Sequence, residues 1–358
     1  MSKKINKKKI FSAVRAVVFI LIFVLVLNIL NPIFIPKENT REAGIRYYPQ
    51  KVFYGEQVNT IDVVCLGNSD MYRSIIPLQL YKDYGYAAFD TAMASARTVD
   101  LYYMLKDILT RQTPRLVIFE TDCLYRDAPD EEKMSSWLKS SATYLLDGIS
   151  ATDEDLCGEL YNVFPVIGYH SRWKSLTKAD FTEKPDYTKR VDPNKGYLID
   201  AGIKPYTGGE YMKETTDVDV IQPAIALYMD KIVQLCRDNN IELLLYESPA
   251  AHSWNYQRHN GVVQYAEKNN LTFVDYNLML DEIGIDWATD TKDKGEHMNI
   301  YGGTKCTTYM GKYLSEHYDL PDRRGEDTYA SWKNDLKSFS SAVASAEKKA
   351  GKSNSKAS

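Results

Sequence analysis

A short apolar run, Val63-Val64-Cys65-Leu66, stops abruptly at Gly67-Asn68-Ser69-Asp70, and an amphipathic segment follows. An apolar run of this length bounded by turn residues predicts a buried strand, then a tight turn, then a helix. The same rhythm returns along the chain. Pro77–Tyr84 opens with proline and predicts a short helix. Tyr86–Asp90 predicts a second strand, and Thr98–Thr110 carries Leu101, Tyr102, Leu105, Ile108 and Leu109 at helical spacing. Arg115–Glu120, with Leu-Val-Ile-Phe inside it, predicts a third strand. Strands that are apolar throughout and alternate with helices require a parallel sheet covered on both faces. The expected fold is therefore a three-layer α/β/α doubly wound parallel sheet of the flavodoxin-like kind.

Residues 121–218 break the rhythm. They are rich in charge, Ser, Thr, Tyr and Gly and contain no strong strand. An insertion after the third strand leaves from the carboxyl edge of the sheet, where open parallel sheets hold their ligand crevice, so it is expected to form a wall or lid. The alternation resumes with a helix over Val220–Asn239, a strand over Ile241–Tyr246, a helix over Tyr256–Asn269, a short strand over Thr272–Asp275 and a last core helix over Gly303–Tyr318. Tyr329–Phe339 predicts one more helix, and from about Ser340 the Ser, Ala, Lys and Gly composition predicts disorder.

The N-terminus has a different character. Residues 1–9 are basic, and Ala16 to Pro36 is a stretch of 21 residues without a charge. At about 1.5 Å per residue such a segment spans a hydrocarbon core of ~30 Å. Lysines on its N-terminal side place that end in the cytoplasm. Leu30-Asn31-Pro32-Ile33-Phe34 offers no small-x-small cleavage site, which favours an uncleaved signal anchor over a secretory signal peptide. The expected organisation is a cytoplasmic basic tail (1–10), a transmembrane anchor (11–36), a linker (37–57), an extracytoplasmic α/β domain (58–322) and a C-terminal helix with a disordered tail (323–358). The formal net charge is −4, and with Lys3, Lys4, Lys7, Lys8, Lys9 and Arg15 set aside the remainder carries −10. An acidic body is a poor nucleic-acid binder. The five cysteines show neither metal spacing nor a Cys-x-x-Cys pair, and Cys65, Cys123 and Cys236 read as small core residues. The first strand is followed by no Gly-x-Gly-x-x-Gly and no Walker lysine. No metal and no cofactor is expected.

Ser69 is the candidate nucleophile, because a hydroxyl on a strand-to-helix turn sits beside backbone N–H groups able to stabilise an oxyanion. Serine needs a base, and histidine titrates in the right range. Of His170, His252, His259, His297 and His317, the best placed is His297, in the polar loop Asp290-Thr291-Lys292-Asp293-Lys294-Gly295-Glu296-His297 ahead of the last core helix. Such a loop returns to the carboxyl edge beside Ser69. Asp293 and Glu296 are both close enough in sequence to hold the imidazole tautomer. His252 and His259 follow the fourth strand and are candidates to line the crevice, while His317 suits a helix end.

The block Leu66-Gly67-Asn68-Ser69-Asp70-Met71-Tyr72-Arg73-Ser74-Ile75-Ile76-Pro77, with Glu296-His297-Met298-Asn299-Ile300-Tyr301-Gly302-Gly303 before the last core helix, resembles the SGNH/GDSL hydrolase superfamily. The closest look is to its membrane-anchored bacterial branch, which includes DltD-like proteins of teichoic-acid D-alanylation and accessory proteins of alginate-type O-acetylation. Tyr169-His170-Ser171-Arg172-Trp173 and the turn Lys195-Gly196-Tyr197 also look like features of that branch. The resemblance implies Ser69 as nucleophile and His297 as general base. It implies an oxyanion hole from the Ser69 N–H, the Ala92 N–H in place of the family's glycine, and a third-block donor. The family's asparagine is absent from that third block: Asp122 stands in the matching stretch, and Thr121 is the candidate donor. The family's aspartate, three residues before the histidine, is Lys294 here, and Asp293 lies one residue further back. Asn68, Asp122, His252, Tyr169, Arg172 and Trp173 are the candidates for a substrate groove.

The resemblance further implies an esterase or O-acyltransferase acting on a cell-envelope glycan or teichoic-acid-like polymer, beside a membrane-bound O-acyltransferase and anchored in the lipid bilayer. The rival expectation is a catalytically weak or inactive scaffold subunit of such a complex.

Overall fold

The computed structural model describes residues 7–39, 52–126, 164, 166 and 169–357. The chain divides into two compact units, one formed by Met1–Arg46 with Leu145–Arg190 and the other by Tyr47–Tyr144 with Val191–Ser358.

In the first unit, helix α1 runs over Lys7–Phe34. Its stretch Phe11–Phe34 is long and apolar enough to cross a membrane. Asn28 returns its side-chain amide to the Val24 carbonyl at 2.9 Å, which spares that polar group a search for an outside partner. Beyond α1, Glu38 pairs with Asp186 in an isolated bridge, and the buried Arg172 is held by Asp180 at 2.8 Å and by the Phe34 carbonyl.

The second unit carries the sheet. Its elements in order are β1 (Val63–Leu66), α2 (Met71–Ser74), α3 (Pro77–Tyr84), β2 (Ala88–Asp90), α4 (Thr98–Ile108) and β3 (Leu116–Glu120). After the interruption come α5 (Pro223–Asp238), β4 (Glu242–Glu247), α6 (Tyr256–Asn269), β5 (Thr272–Asp275), α7 (Ile300–His317) and α8 (Trp332–Ala357). The five strands are parallel in the order β2-β1-β3-β4-β5. That is the expected doubly wound sheet of flavodoxin-like order.

Alternation of side chains across each strand divides the core into two layers. Val64, Leu66, Val117, Phe119, Leu243 and Leu245 face one side, under α4 and α5. Val63, Cys65, Leu116, Ile118, Leu244 and Tyr246 face the other, under Cys306, Met310 and Leu314 of α7. Both faces are covered, which is why the strands read as continuous apolar runs. Cys65, Cys123, Cys236 and Cys306 are buried free thiols, and Cys157 lies outside the described residues.

Three expectations change. The linker ends earlier than expected, because Val52 and Phe53 are buried in the core of the second unit. The tail expected to be disordered from Ser340 is helical to Ala357: Phe339, Val343, Ala346 and Ala350 form an apolar stripe on α8 and lie against Ile76, Tyr197, Ala201 and Ile300. The insertion is not one wall. Residues 145–190 group with the N-terminal segment, and most of 127–168 lies outside the described residues. Residues 191–218 belong to the sheet unit. There the turn Lys195-Gly196-Tyr197 covers edge strand β2, with the Lys195 carbonyl accepting the Asp90 N–H at 2.9 Å and the buried Lys195 ammonium on Glu56 at 2.8 Å.

Candidate active site

In a sheet of order 2-1-3-4-5, neighbouring crossovers leave in opposite directions between β1 and β3, which opens a crevice at their carboxyl ends. Ser69 follows β1 at that point. Asn68 makes the turn: its side-chain oxygen accepts the Asp70 N–H at 2.8 Å and its amide donates to Asp122 at 2.7 Å. Glu120, the last residue of β3, accepts the Asn68 N–H at 2.6 Å. Gly67 is required by that approach, since a Cβ there would meet the Glu120 carboxylate at 2.6 Å.

The structure brings Ser69, His297 and Asp293 together. Ser69 Oγ is 2.8 Å from His297 Nε2, across 228 positions of sequence. His297 Nδ1 is 2.6 Å from Asp293 Oδ2, and Asp293 Oδ1 accepts the His297 backbone N–H at 2.8 Å. The extra residue between acid and base is absorbed by two left-handed positions in succession, Lys294 (φ 72°) and Gly295 (φ 96°). Thr291 ties this loop, donating its hydroxyl to the His297 carbonyl at 3.1 Å and accepting the Gly295 N–H at 2.7 Å. Glu296 is exposed, and its carboxylate makes no hydrogen bond to the ring among the described residues.

The electrostatics follow from this packing. Burial works against ionisation of Asp293, but hydrogen bonds and charge from His297 outweigh it and hold the carboxyl well below the usual carboxylate range. Burial works against protonation of His297, yet the Asp293 hydrogen bond and the Asp70 and Asp293 charges leave its pKa raised.

The opposite side of Ser69 is different. The Ala92 N–H is donated to Asp90 at 2.8 Å, and the Thr121 hydroxyl to Glu247 at 2.6 Å. Both are already given to carboxylates, and of the three expected donors the Ser69 N–H is the one with no hydrogen-bond partner among the described residues. Asn68 and Asp122, expected in the groove, are buried supports of the turn, with Asp122 also held by Arg126 at 2.8 Å and Arg258 at 3.3 Å. His252 props the histidine loop through the Lys294 carbonyl at 2.8 Å. Tyr169, Arg172 and Trp173 belong to the other unit, where Arg172 is engaged as described and Trp173 is exposed.

Sequence reasoning passed over several groups. Tyr72, one helical turn after Ser69, has its hydroxyl beside the serine; burial raises that phenol's pKa. Glu120 and Glu247 end two neighbouring strands and are fully buried, and burial pushes both carboxyls well above the carboxylate range. The available signal was an acid closing each of two all-apolar runs, Leu116-Val117-Ile118-Phe119-Glu120 and Leu243-Leu244-Leu245-Tyr246-Glu247. Residues 206–212 and 277–282 also line a cavity of about 560 Å³, walled by Tyr206, Tyr211, Met279 and Trp287 with Glu210 and Asp281. Tyr206 lies against Gly295 of the histidine loop, where a Cβ would meet its ring at 2.9 Å.

No family model matches the chain, and no curated protein matches it. Among solved structures, the chain is similar to a candidate acylhydrolase from Bacteroides fragilis NCTC 9343, at 13% identity over 76% of this chain and 95% of that one, with a TM-score of 0.34. It is also similar to a GDSL-like lipase from Bacteroides thetaiotaomicron VPI-5482, at 12% identity over 77% and 94% of the two chains, with a TM-score of 0.30.

Proposed function

We propose that this chain is a serine-dependent acyl esterase of SGNH type, anchored by α1 and working outside the cytoplasm. The observation that carries the reading is the Ser69–His297–Asp293 relay, with contacts of 2.8 and 2.6 Å. In the reaction His297 Nε2 takes the Ser69 proton as Oγ attacks an ester carbonyl. Asp293 keeps Nδ1 protonated and balances the imidazolium. The same proton then goes to the departing alcohol, leaving an acyl group on Ser69. Water or a second hydroxyl, deprotonated by His297, takes the acyl group and restores the serine. The aromatic and acidic cavity beside the histidine loop suits a sugar or polyol chain, whose C–H faces stack on rings and whose hydroxyls bond carboxylates. A cell-envelope polymer as acceptor, with a membrane-bound O-acyltransferase as supplier, is the form of this reading that the anchor and the family resemblance favour.

The test is covalent trapping. The full chain is expected to label with a fluorophosphonate probe at Ser69, and Ser69→Ala is expected to remove all labelling. A folded wild-type chain that does not label overturns the reading. The commitment of Ala92 and Thr121 to internal carboxylates favours a second reading, a scaffold subunit. Undiminished function in cells carrying Ser69→Ala would establish it.

A further inference from the structure

We propose that Asp70 is a second carboxylate of this centre, sharing a proton with His297 at Nε2 and competing there with Ser69, so that the base is gated by pH. The consequence for reactivity rests on the esterase reading above; the contact itself does not.

Asp70 follows the nucleophile directly, yet it is only 2% exposed. Carboxylates are almost never buried to that degree without a partner. Its Oδ2 is 4.0 Å from the Arg126 guanidinium. Its Oδ1 has no hydrogen-bond partner among the described residues and lies 3.7 Å from His297 Nε2. That nitrogen therefore faces two oxygens, the Ser69 hydroxyl at 2.8 Å and a carboxylate just outside bonding range. Neutral imidazole accepts the Ser69 proton at Nε2 and has nothing to offer a carboxylate. Protonated imidazole presents N–H and positive charge there, and a carboxylate is the stronger acceptor. A small rotation then exchanges Ser69 for Asp70, and the serine loses its base. One proton is taken from solvent, and only hydrogen bonds change.

The surroundings support this. Burial pushes Asp70 up to about 7, against the pull of His297 and Arg126 and with the push of Asp122 and Glu296. His297 is raised as well, in part by the Asp70 charge. The other charges facing them are Glu120 at the end of β3, Lys292 and Asp293 in the histidine loop, and Arg258 through Asp122. The Tyr72 phenol is the remaining titratable neighbour.

The test uses the full chain with ¹⁵N-histidine, following the His297 ring by NMR, together with the pH profile of fluorophosphonate labelling. A carboxylate at this distance shifts a neighbour by about one unit or more. Asp70→Asn is therefore expected to lower the His297 midpoint by about one pH unit, and to raise labelling up to about tenfold below the wild-type midpoint. Asp70→Ser gives the same reading if the amide disturbs folding, and Asp70→Glu is expected to keep the midpoint near wild type. An unchanged His297 midpoint in Asp70→Asn and Asp70→Ser overturns the proposal. The NMR midpoint reads the ring whether or not the chain labels, so absence of labelling counts against the esterase alone.

Discussion

The two sides of Ser69 are built in opposite ways. On the histidine side, Asp293 takes the His297 ring and backbone N–H with both of its carboxylate oxygens, and Thr291 holds the His297 carbonyl, all within a single loop. On the strand side, Asp70, Glu120 and Glu247 are buried, and each has one oxygen without a hydrogen-bond partner among the described residues. The loop's own hydrogen bonds fix the acid against the ring. Buried carboxyls with unmet oxygens favour their protonated forms, so pH acts on the strand side and reaches His297 through Asp70. Under the proposed esterase reading, nucleophile, base and orienting acid lie together, while two of the three expected oxyanion donors are given to buried carboxyls, the Ala92 N–H to Asp90 and the Thr121 hydroxyl to Glu247.

The largest expected effects break the histidine side. His297→Ala is expected to slow fluorophosphonate labelling by about 10²–10⁴-fold, the usual contribution of a positioned base. Asp293→Asn, which stabilises the wrong tautomer, is expected to cost up to about 10⁴-fold. Glu296→Gln is expected to leave the rate near wild type. If Glu296→Gln were as damaging as Asp293→Asn, the acid would be misassigned and the contrast between the two sides would lose its basis.

The next test sharpens the strand side. An oxyanion donor is worth about 10²–10³ in rate. Because the Thr121 hydroxyl is given to Glu247, Thr121→Val is expected to change labelling by less than that. It is expected instead to lower unfolding stability by about 1–3 kcal/mol, as Glu247 loses its donor. Urea unfolding and labelling rates on the same preparation separate the outcomes. A full oxyanion-type loss of rate with unchanged stability would show that Thr121 turns toward the substrate.

The same contrast explains what was legible in the sequence. The parallel sheet, its two covered faces and most helix bounds follow from apolar periodicity, because burial on both faces forces it, whereas the strand order is set by tertiary contacts. Ser69 stands out because it sits in a turn between an apolar run and a helix, His297 because it lies in a polar loop just ahead of the last core helix, and Asp293 is four residues from its partner. Glu120, Glu247 and Asp122 meet only because β3 and β4 are neighbours in register, with Glu120 opposite Tyr246. A single strand end gives no sign of the carboxyl beside it. The α8 tail was missed for a related reason: Phe339, Val343, Ala346 and Ala350 make a sparse stripe that becomes an apolar face only against Tyr197 and Ile300.

The last test of the contrast is read on stability against pH and not on rate. The folded pKa values of Glu120 and Glu247 lie above the unfolded value of about 4.3, so the native state binds more protons than the unfolded state. The stability they contribute is complete below about pH 4 and is lost as pH rises through their folded values. The raised pKa of His297 acts in the same direction, from its unfolded value of about 6.5 upward. Wild-type unfolding free energy is therefore expected to fall as pH rises from about 5 to 8, by at most about 1.4 kcal/mol per pH unit for each group. Glu120→Gln keeps a side-chain oxygen for the Asn68 N–H but cannot ionise, so its stability is expected to fall less steeply over the same range. Equal slopes in wild type and variant would place the missing proton elsewhere and remove Glu120 from the pH-sensitive side of the site.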